Sequence, residues 1–85
     1  LPYTVGKAAE ETLMLTLAEE LKHTGVTANV LRVRSIDVEH KREHEPSPKN
    51  ASWTTPEEIA AALLYLCSDE ANRVNGARIP LYGTP

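Results

Sequence analysis

The stretch from Thr4 to Val33 most narrowly limits what this chain can become, because a helical pattern gives way to a strand pattern across a short link. From about Thr4 to His23 the apolar residues recur at helical spacing. At about 100° per residue, Ala8, Leu13, Met14, Leu15, Leu17, Ala18 and Leu21 spread over a wide arc, leaving Thr12, Thr16, Glu19 and Glu20 as a narrow polar strip. An ordinary surface helix buries a narrower stripe. The width implies contacts on two sides. One is the helix's own sheet, and the other is either the interior of a larger domain or a second subunit. Gly25 stands where the helix is expected to stop, just past the last periodic residue. Thr27 to Val33 is short and rich in β-branched residues, the pattern of a strand. Helix, link and strand make one αβ step of a parallel sheet. One strand is not a sheet, so its neighbours are expected from outside this sequence or from another copy of it.

Beyond the strand, Glu39 to Asn50 is polar, dense in charge and broken by Pro46 and Pro48. It predicts a loop or a short helix, mobile unless something covers it. A helix start follows. Thr55 is the expected N-cap, Pro56 suits the first helical position, and Glu58 completes a capping box. Ile59, Ala62, Leu63, Leu66 and Cys67 continue at helical spacing as one apolar stripe, so Cys67 is expected in the core rather than as a nucleophile. Ser68 to Asn72 predicts a further short helical turn and Asn75-Gly76 a bend. Ala77, Ile79 and Leu81 alternate with Arg78, Pro80 and Tyr82, the pattern of a half-buried strand. Pro80 cannot donate to a ladder, so this strand should be an edge or stop pairing there.

Chemistry enters with Tyr3 and Lys7, four residues apart at the start of the first helix. One helical turn puts both side chains on one face. A neighbouring ammonium favours the phenolate and lowers the tyrosine pKa from its usual ~10. A phenol tuned in this way can give or take a proton at a carbonyl or alcohol oxygen. The spacing alone is common in proteins, so its setting decides what it means.

Size and charge narrow the partners. Eighty-five residues make at most one small domain, and a chain this short buries only ~60–65% of its unfolded surface. Nine basic residues against twelve acidic ones give a net charge of −3. That balance argues against nucleic acid or an anionic membrane as a partner. No apolar run approaches the ~18 residues of a membrane span. The first residues lack the basic flank and apolar core of a secretion signal, and the single cysteine allows no internal disulfide. A reducing, cytoplasmic setting is expected. Leu1-Pro2 leads straight into the Tyr3 motif, which reads as the start of a fragment.

The pieces in order are Tyr3-x-x-x-Lys7-Ala8-Ala9, Leu17-Ala18-Glu19-Glu20-Leu21, and Gly25-Val26-Thr27-Ala28-Asn29-Val30. Pro56-Glu57-Glu58-Ile59-Ala60 then leads to Leu66-Cys67-Ser68, and Asn75-Gly76-Ala77-Arg78-Ile79 closes the series. Together they resemble the C-terminal third of a short-chain dehydrogenase/reductase over nearly the whole chain. The resemblance implies an α/β fold, here the C-terminal fragment of a Rossmann-type doubly wound parallel sheet in the order helix–strand–loop–helix–strand. Residues 1–85 would then be the C-terminal part of one domain whose dinucleotide-binding half lies outside this sequence. It also implies NAD or NADP as cofactor and hydride transfer between nicotinamide and a small carbonyl or alcohol substrate. Tyr3 would be the acid/base. Lys7 would hold the nicotinamide ribose hydroxyls and lower the tyrosine pKa. The backbone of Ile36 would meet the carboxamide. No residue is expected to bind metal.

Two departures stand out. Family members usually carry Pro-Gly where this chain has Val33-Arg34, and often a threonine at Val38. Valine cannot make the hydroxyl contact of that threonine, and Arg34 lacks the glycine's tolerance of positive φ, so the turn must differ. The closely spaced glycines of a dinucleotide loop are also missing, because the four glycines lie at 6, 25, 76 and 83. The segment alone is therefore expected to be inactive.

Two other readings stay open. The chain could be a self-associating helical module, forming a homo-oligomer through the Thr4–His23 helix, or a degenerate member that keeps the shape without the chemistry. Among minor signals, His40-x-x-Glu43-His44 matches a zinc-peptidase pattern, but it is flanked by prolines and shows no third ligand. It reads as a charged surface helix. His23 is expected to complement its helix's C-terminal dipole. Trp53 is expected as an anchor beside the second helix start, or as a lid.

Overall fold

The computed structural model describes residues 2–83. Its first element, α1 (Pro2–Leu21), begins with a proline where a missing N–H costs nothing. It ends two residues before His23. The Leu21 carbonyl accepts from the Thr24 N–H at 3.0 Å and from the Thr24 hydroxyl. His23 and Gly25 both take left-handed backbone, at φ 77° and 88°. His23 thus helps turn the chain out of the helix, a role its side-chain charge did not suggest.

Strand β1 (Val30–Arg32) is shorter than the predicted Thr27–Val33. It pairs in parallel with β2 (Arg78–Pro80), in the register Val30 with Arg78, Leu31 with Ile79 and Arg32 with Pro80. The expectation that all of its neighbours would come from outside is therefore corrected, since one partner lies 48 residues further along the same chain. Asparagine side chains take over where the ladder would otherwise start. The Ala28 N–H donates to Asn75 Oδ1 at 2.9 Å and the Ala77 N–H to Asn29 Oδ1 at 2.9 Å. Asn75 Nδ2 also donates to the Ala18 carbonyl at 2.9 Å, tying α1 to the sheet. Gly76 suits this turn through its backbone, whose φ of +73° a residue with a Cβ rarely adopts.

In the ladder the Val30 N–H donates to the Ala77 carbonyl at 2.9 Å and the Leu81 N–H to the Arg32 carbonyl at 2.8 Å. Alternation then turns the Pro80 nitrogen away from β1, so its missing donor costs the pairing nothing. Among the described residues, β2 is the outer edge on one side and the far edge of β1 has no strand beside it.

The segment Glu39–Asn50 folds into a one-turn helix, α2 (Lys41–His44), fastened to its surroundings rather than loose. The Asp37 carboxylate, 2% exposed, accepts from the Lys41 N–H at 2.8 Å and the Arg42 N–H at 3.0 Å. Next, α3 (Pro56–Leu66) carries the predicted capping box. The Glu58 N–H donates to Thr55 Oγ1 at 3.2 Å, and the Thr55 N–H donates to Glu58 Oε1 at 2.9 Å. A short 3₁₀ turn (Asp69–Ala71) follows.

The core is thin. Ala18, Ala28 and Ala71 are the only fully buried apolar side chains among the described residues. Leu63, Leu64 and Tyr65 are exposed on α3, and Val5, Leu13 and Leu17 on α1. Cys67, expected in the core, sits exposed at the C-cap of α3. Among the described residues, nothing covers that end of the apolar stripe. The whole measures 46 × 35 × 19 Å, about two layers of secondary structure thick.

Candidate active site

Tyr3 and Lys7 project from one face of α1. The Lys7 Nζ lies 5.9 Å from the centroid of the Tyr3 ring, and Tyr3 is 76% exposed. The Lys7 ammonium also stands 3.7 Å from the Glu10 carboxylate. Both residues line a cleft of about 570 Å³ between the first half of α1 and the chain from Asn29 to Ile36. Ile36 also lines this cleft, so the three residues singled out in the sequence share one space.

A second link between α1 and the strands runs through Glu11, which sequence reasoning did not identify. Its half-buried carboxylate reaches Arg78 of β2 at 3.2 Å and Arg32 of β1 at 3.8 Å. One acid thus ties the helix that carries Tyr3 to both strands.

Ile36 forms an isolated parallel bridge with Thr54. The two hydrogen bonds run from the Asp37 N–H to the Thr54 carbonyl at 2.8 Å and from the Thr54 N–H to the Ser35 carbonyl at 2.9 Å. In a bridge of this form, the N–H and C=O of the central residue point away from the partner strand. The Ile36 backbone groups therefore remain available. Thr54 is buried, and its hydroxyl bonds the Leu81 carbonyl, so the bridge is anchored to the chain just after β2.

Arg34 does not adopt left-handed backbone, and its guanidinium lies 4.5 Å above the Tyr82 ring. Val38 is exposed.

The segment after Ile36 is fixed by charge. Arg42 makes a bidentate pair with Glu58 at 2.9 and 3.0 Å and donates to the Trp53 carbonyl. That guanidinium, with the Thr55 N–H, holds the Glu58 carboxyl down to about 2. His40 Nε2 lies 2.7 Å from Glu57 Oε1, and this contact raises the imidazole pKa and lowers that of the carboxyl. Burial pushes the Asp37 carboxyl up, but the Arg42 and Lys41 N–H groups outweigh it and keep the group low.

His40 has φ 57° and precedes α2 rather than lying in it. The two imidazoles of the zinc-peptidase pattern therefore do not share a helix face. Among the described residues, no group of three His, Cys, Asp or Glu side chains could hold a metal ion. Trp53 lines a shallow groove with Ile36, Val38 and Lys41, beside the segment its carbonyl helps to hold. No helix of the described residues is long and apolar enough to cross a membrane.

Comparison with known proteins places this geometry. The family described as enoyl-(acyl carrier protein) reductase matches residues 2–83. Galactitol 2-dehydrogenase from Rhizobium johnstonii is 36% identical over 85 residues, covering 88% of this chain and 33% of the relative. A short chain dehydrogenase from Bacillus anthracis superimposes with a TM-score of 0.71 at 35% identity, over 93% of this chain and 32% of its own. The acetoin dehydrogenase of Salmonella typhimurium gives a TM-score of 0.81 at 28% identity, over 95% of this chain and 34% of its own. The chain thus spans about a third of the length of the relatives it matches. Its α/β elements are those of the Rossmann-type sheet in these neighbours. The chain belongs to the short-chain dehydrogenase/reductase family.

Proposed function

We propose that this chain is the catalytic-helix and C-terminal part of an NAD(P)-dependent oxidoreductase that interconverts a small carbonyl compound and its alcohol. The observation that carries the reading is the shared cleft: an accessible Tyr3, its cationic neighbour Lys7 and the available backbone of Ile36 all line it. These groups suit a nicotinamide riboside. Lys7 would hold the ribose hydroxyls and Ile36 the carboxamide, through backbone groups that substitution at that position does not remove. The threonine contact common in the family has no counterpart at Val38.

Nicotinamide, when bound, supplies or accepts the hydride. This chain's contribution is the proton. As a carbonyl oxygen gains negative charge, the Tyr3 hydroxyl donates to it, and in the reverse direction the Tyr3 oxygen takes the alcohol proton. Lys7, as the adjacent cation, favours the ionised form of the phenol during that exchange. Glu11, paired with Arg32 and Arg78, would help to hold the helix that carries the proton donor against the strands.

The glycine-rich turn that grips a dinucleotide would come from the rest of the domain, so the segment alone is proposed to be inactive. Full-length protein should bind NADH or NADPH and consume it with a carbonyl substrate, whereas the isolated segment should do neither. Absence of cofactor binding by the full-length protein in a fluorescence titration would overturn the reading.

The exposed Val5, Leu13 and Leu17 on α1 favour an accompanying role in assembly, with the helix seating against a second copy in a homo-oligomer. Sedimentation of the full-length protein as a monomer at high concentration would remove that part.

A further inference from the structure

We infer that Arg34, braced on Tyr82, is an anion-recognising residue of the substrate site, and that the substrate carries an oxyanion group, a carboxylate or a phosphate, near its reacting carbonyl. The inference rests on the proposed carbonyl chemistry for its choice of ligand, and on separate observations for the subsite.

Arg34 and Tyr82 each stand two residues past the C-terminal ends of the paired strands β1 and β2. Ligands of open parallel α/β sheets bind outside that end. Arg34 also lines the cleft that holds Tyr3 and Lys7.

The charges around it are already assigned. Arg32 and Arg78 share Glu11, and Arg42 takes Glu58. Lys7 faces Glu10. Among the described residues, no carboxylate lies within ion-pair distance of Arg34. The cleft wall holds three cations, Lys7, Arg32 and Arg34, against the two carboxylates of Glu10 and Glu11. This local surplus of positive charge sits in a chain of net charge −3.

Tyr82 gives Arg34 its geometry. The guanidinium carbon lies 4.5 Å from the ring centroid, a cation–π contact that restrains the side chain without using its N–H donors. A guanidinium restrained in this way can make two parallel bonds to a carboxylate or phosphate. A glycine at this position would offer neither charge nor fork, so this residue distinguishes the chain's substrate from that of a relative with glycine there.

The test is binding, measured independently of turnover. Full-length protein saturated with oxidised cofactor, which cannot reduce a carbonyl, is titrated calorimetrically with pyruvate and pyruvamide, and with dihydroxyacetone phosphate and dihydroxyacetone. At least one anion should bind about 10- to 100-fold tighter than its neutral partner, the range for hydrogen bonds to a charged group. Which pair shows the difference identifies carboxylate or phosphate. Arg34→Met should abolish the difference while leaving neutral ligands, cofactor affinity and melting temperature unchanged. Arg34→Lys should restore only part of it, because an ammonium lacks the fork. Equal affinities within both pairs, no binding of either anion, a preference that survives Arg34→Met, or a loss that falls on the cofactor would each overturn the inference. Anion preference without hydride transfer would keep the subsite and sink the proposed reaction. Hydride transfer without anion preference would do the reverse.

Discussion

Asn75 carries more of the structure than its place in a bend suggests. Its side chain accepts from Ala28 and donates to Ala18, so a single amide joins α1 to the entry of β1. Replacing it with alanine leaves one backbone N–H and one carbonyl without partners. Asn75→Ala should destabilise the full-length protein by about 1–3 kcal/mol, measured by urea unfolding, and a loss below the error of the measurement would contradict the bridging role. Residues of this kind were not legible in the sequence. Asn75-Gly76 signalled a bend, but a side-chain amide's choice of distant carbonyl depends on contacts that no local spacing encodes. Glu11 was missed for the same reason, because its partners Arg32 and Arg78 lie on two separate strands. Tyr3 and Lys7 were legible because one turn of helix sets their relation locally.

Among the elements, the two long helices were readable from periodicity, and the start of α3 from its cap, since a capping box is complete within four residues. The strands were harder. Their composition marked them, but the parallel pairing of Val30–Arg32 with Arg78–Pro80 is non-local, and the asparagines that replace the ladder at its start shortened β1. The polar run after β1 looked loose because two of its tethers, His40–Glu57 and Arg42–Glu58, join residues 17 and 16 apart in sequence. The His40–Glu57 tether has a pH signature. The His40 pKa is raised above its ordinary 6.5, so its share of stability is complete below that value and is lost as pH rises through the folded pKa. The Glu57 pKa is lowered from 4.5, so its share is present above that value and is lost as pH falls through the folded pKa. The tether is therefore tightest between the two ordinary values and loosens on the alkaline side. By NMR titration, His40 should ionise above 6.5 and move downward in Glu57→Gln. A His40 titration unmoved by that substitution would contradict the pairing.

At the scale of the whole molecule, the thin alanine core, the uncovered faces of α1 and α3 and the open edge of β1 have one physical meaning. The chain spans about a third of the length of the relatives it matches, and we propose that the rest of the domain and a second copy cover these surfaces. The cleft, by contrast, is assembled within the chain by α1, β1 and the segment ending at Ile36. The protein's proton chemistry is thus proposed to reside here, while its cofactor grip is completed elsewhere. The most direct test is steady-state turnover of the full-length protein carrying Tyr3→Phe, followed by nicotinamide absorbance. Removing one hydroxyl should lower kcat by about 10²–10⁴-fold, with cofactor affinity and melting temperature unchanged. Turnover equal to that of the unmodified protein would show that the proton comes from another group and would contradict the account.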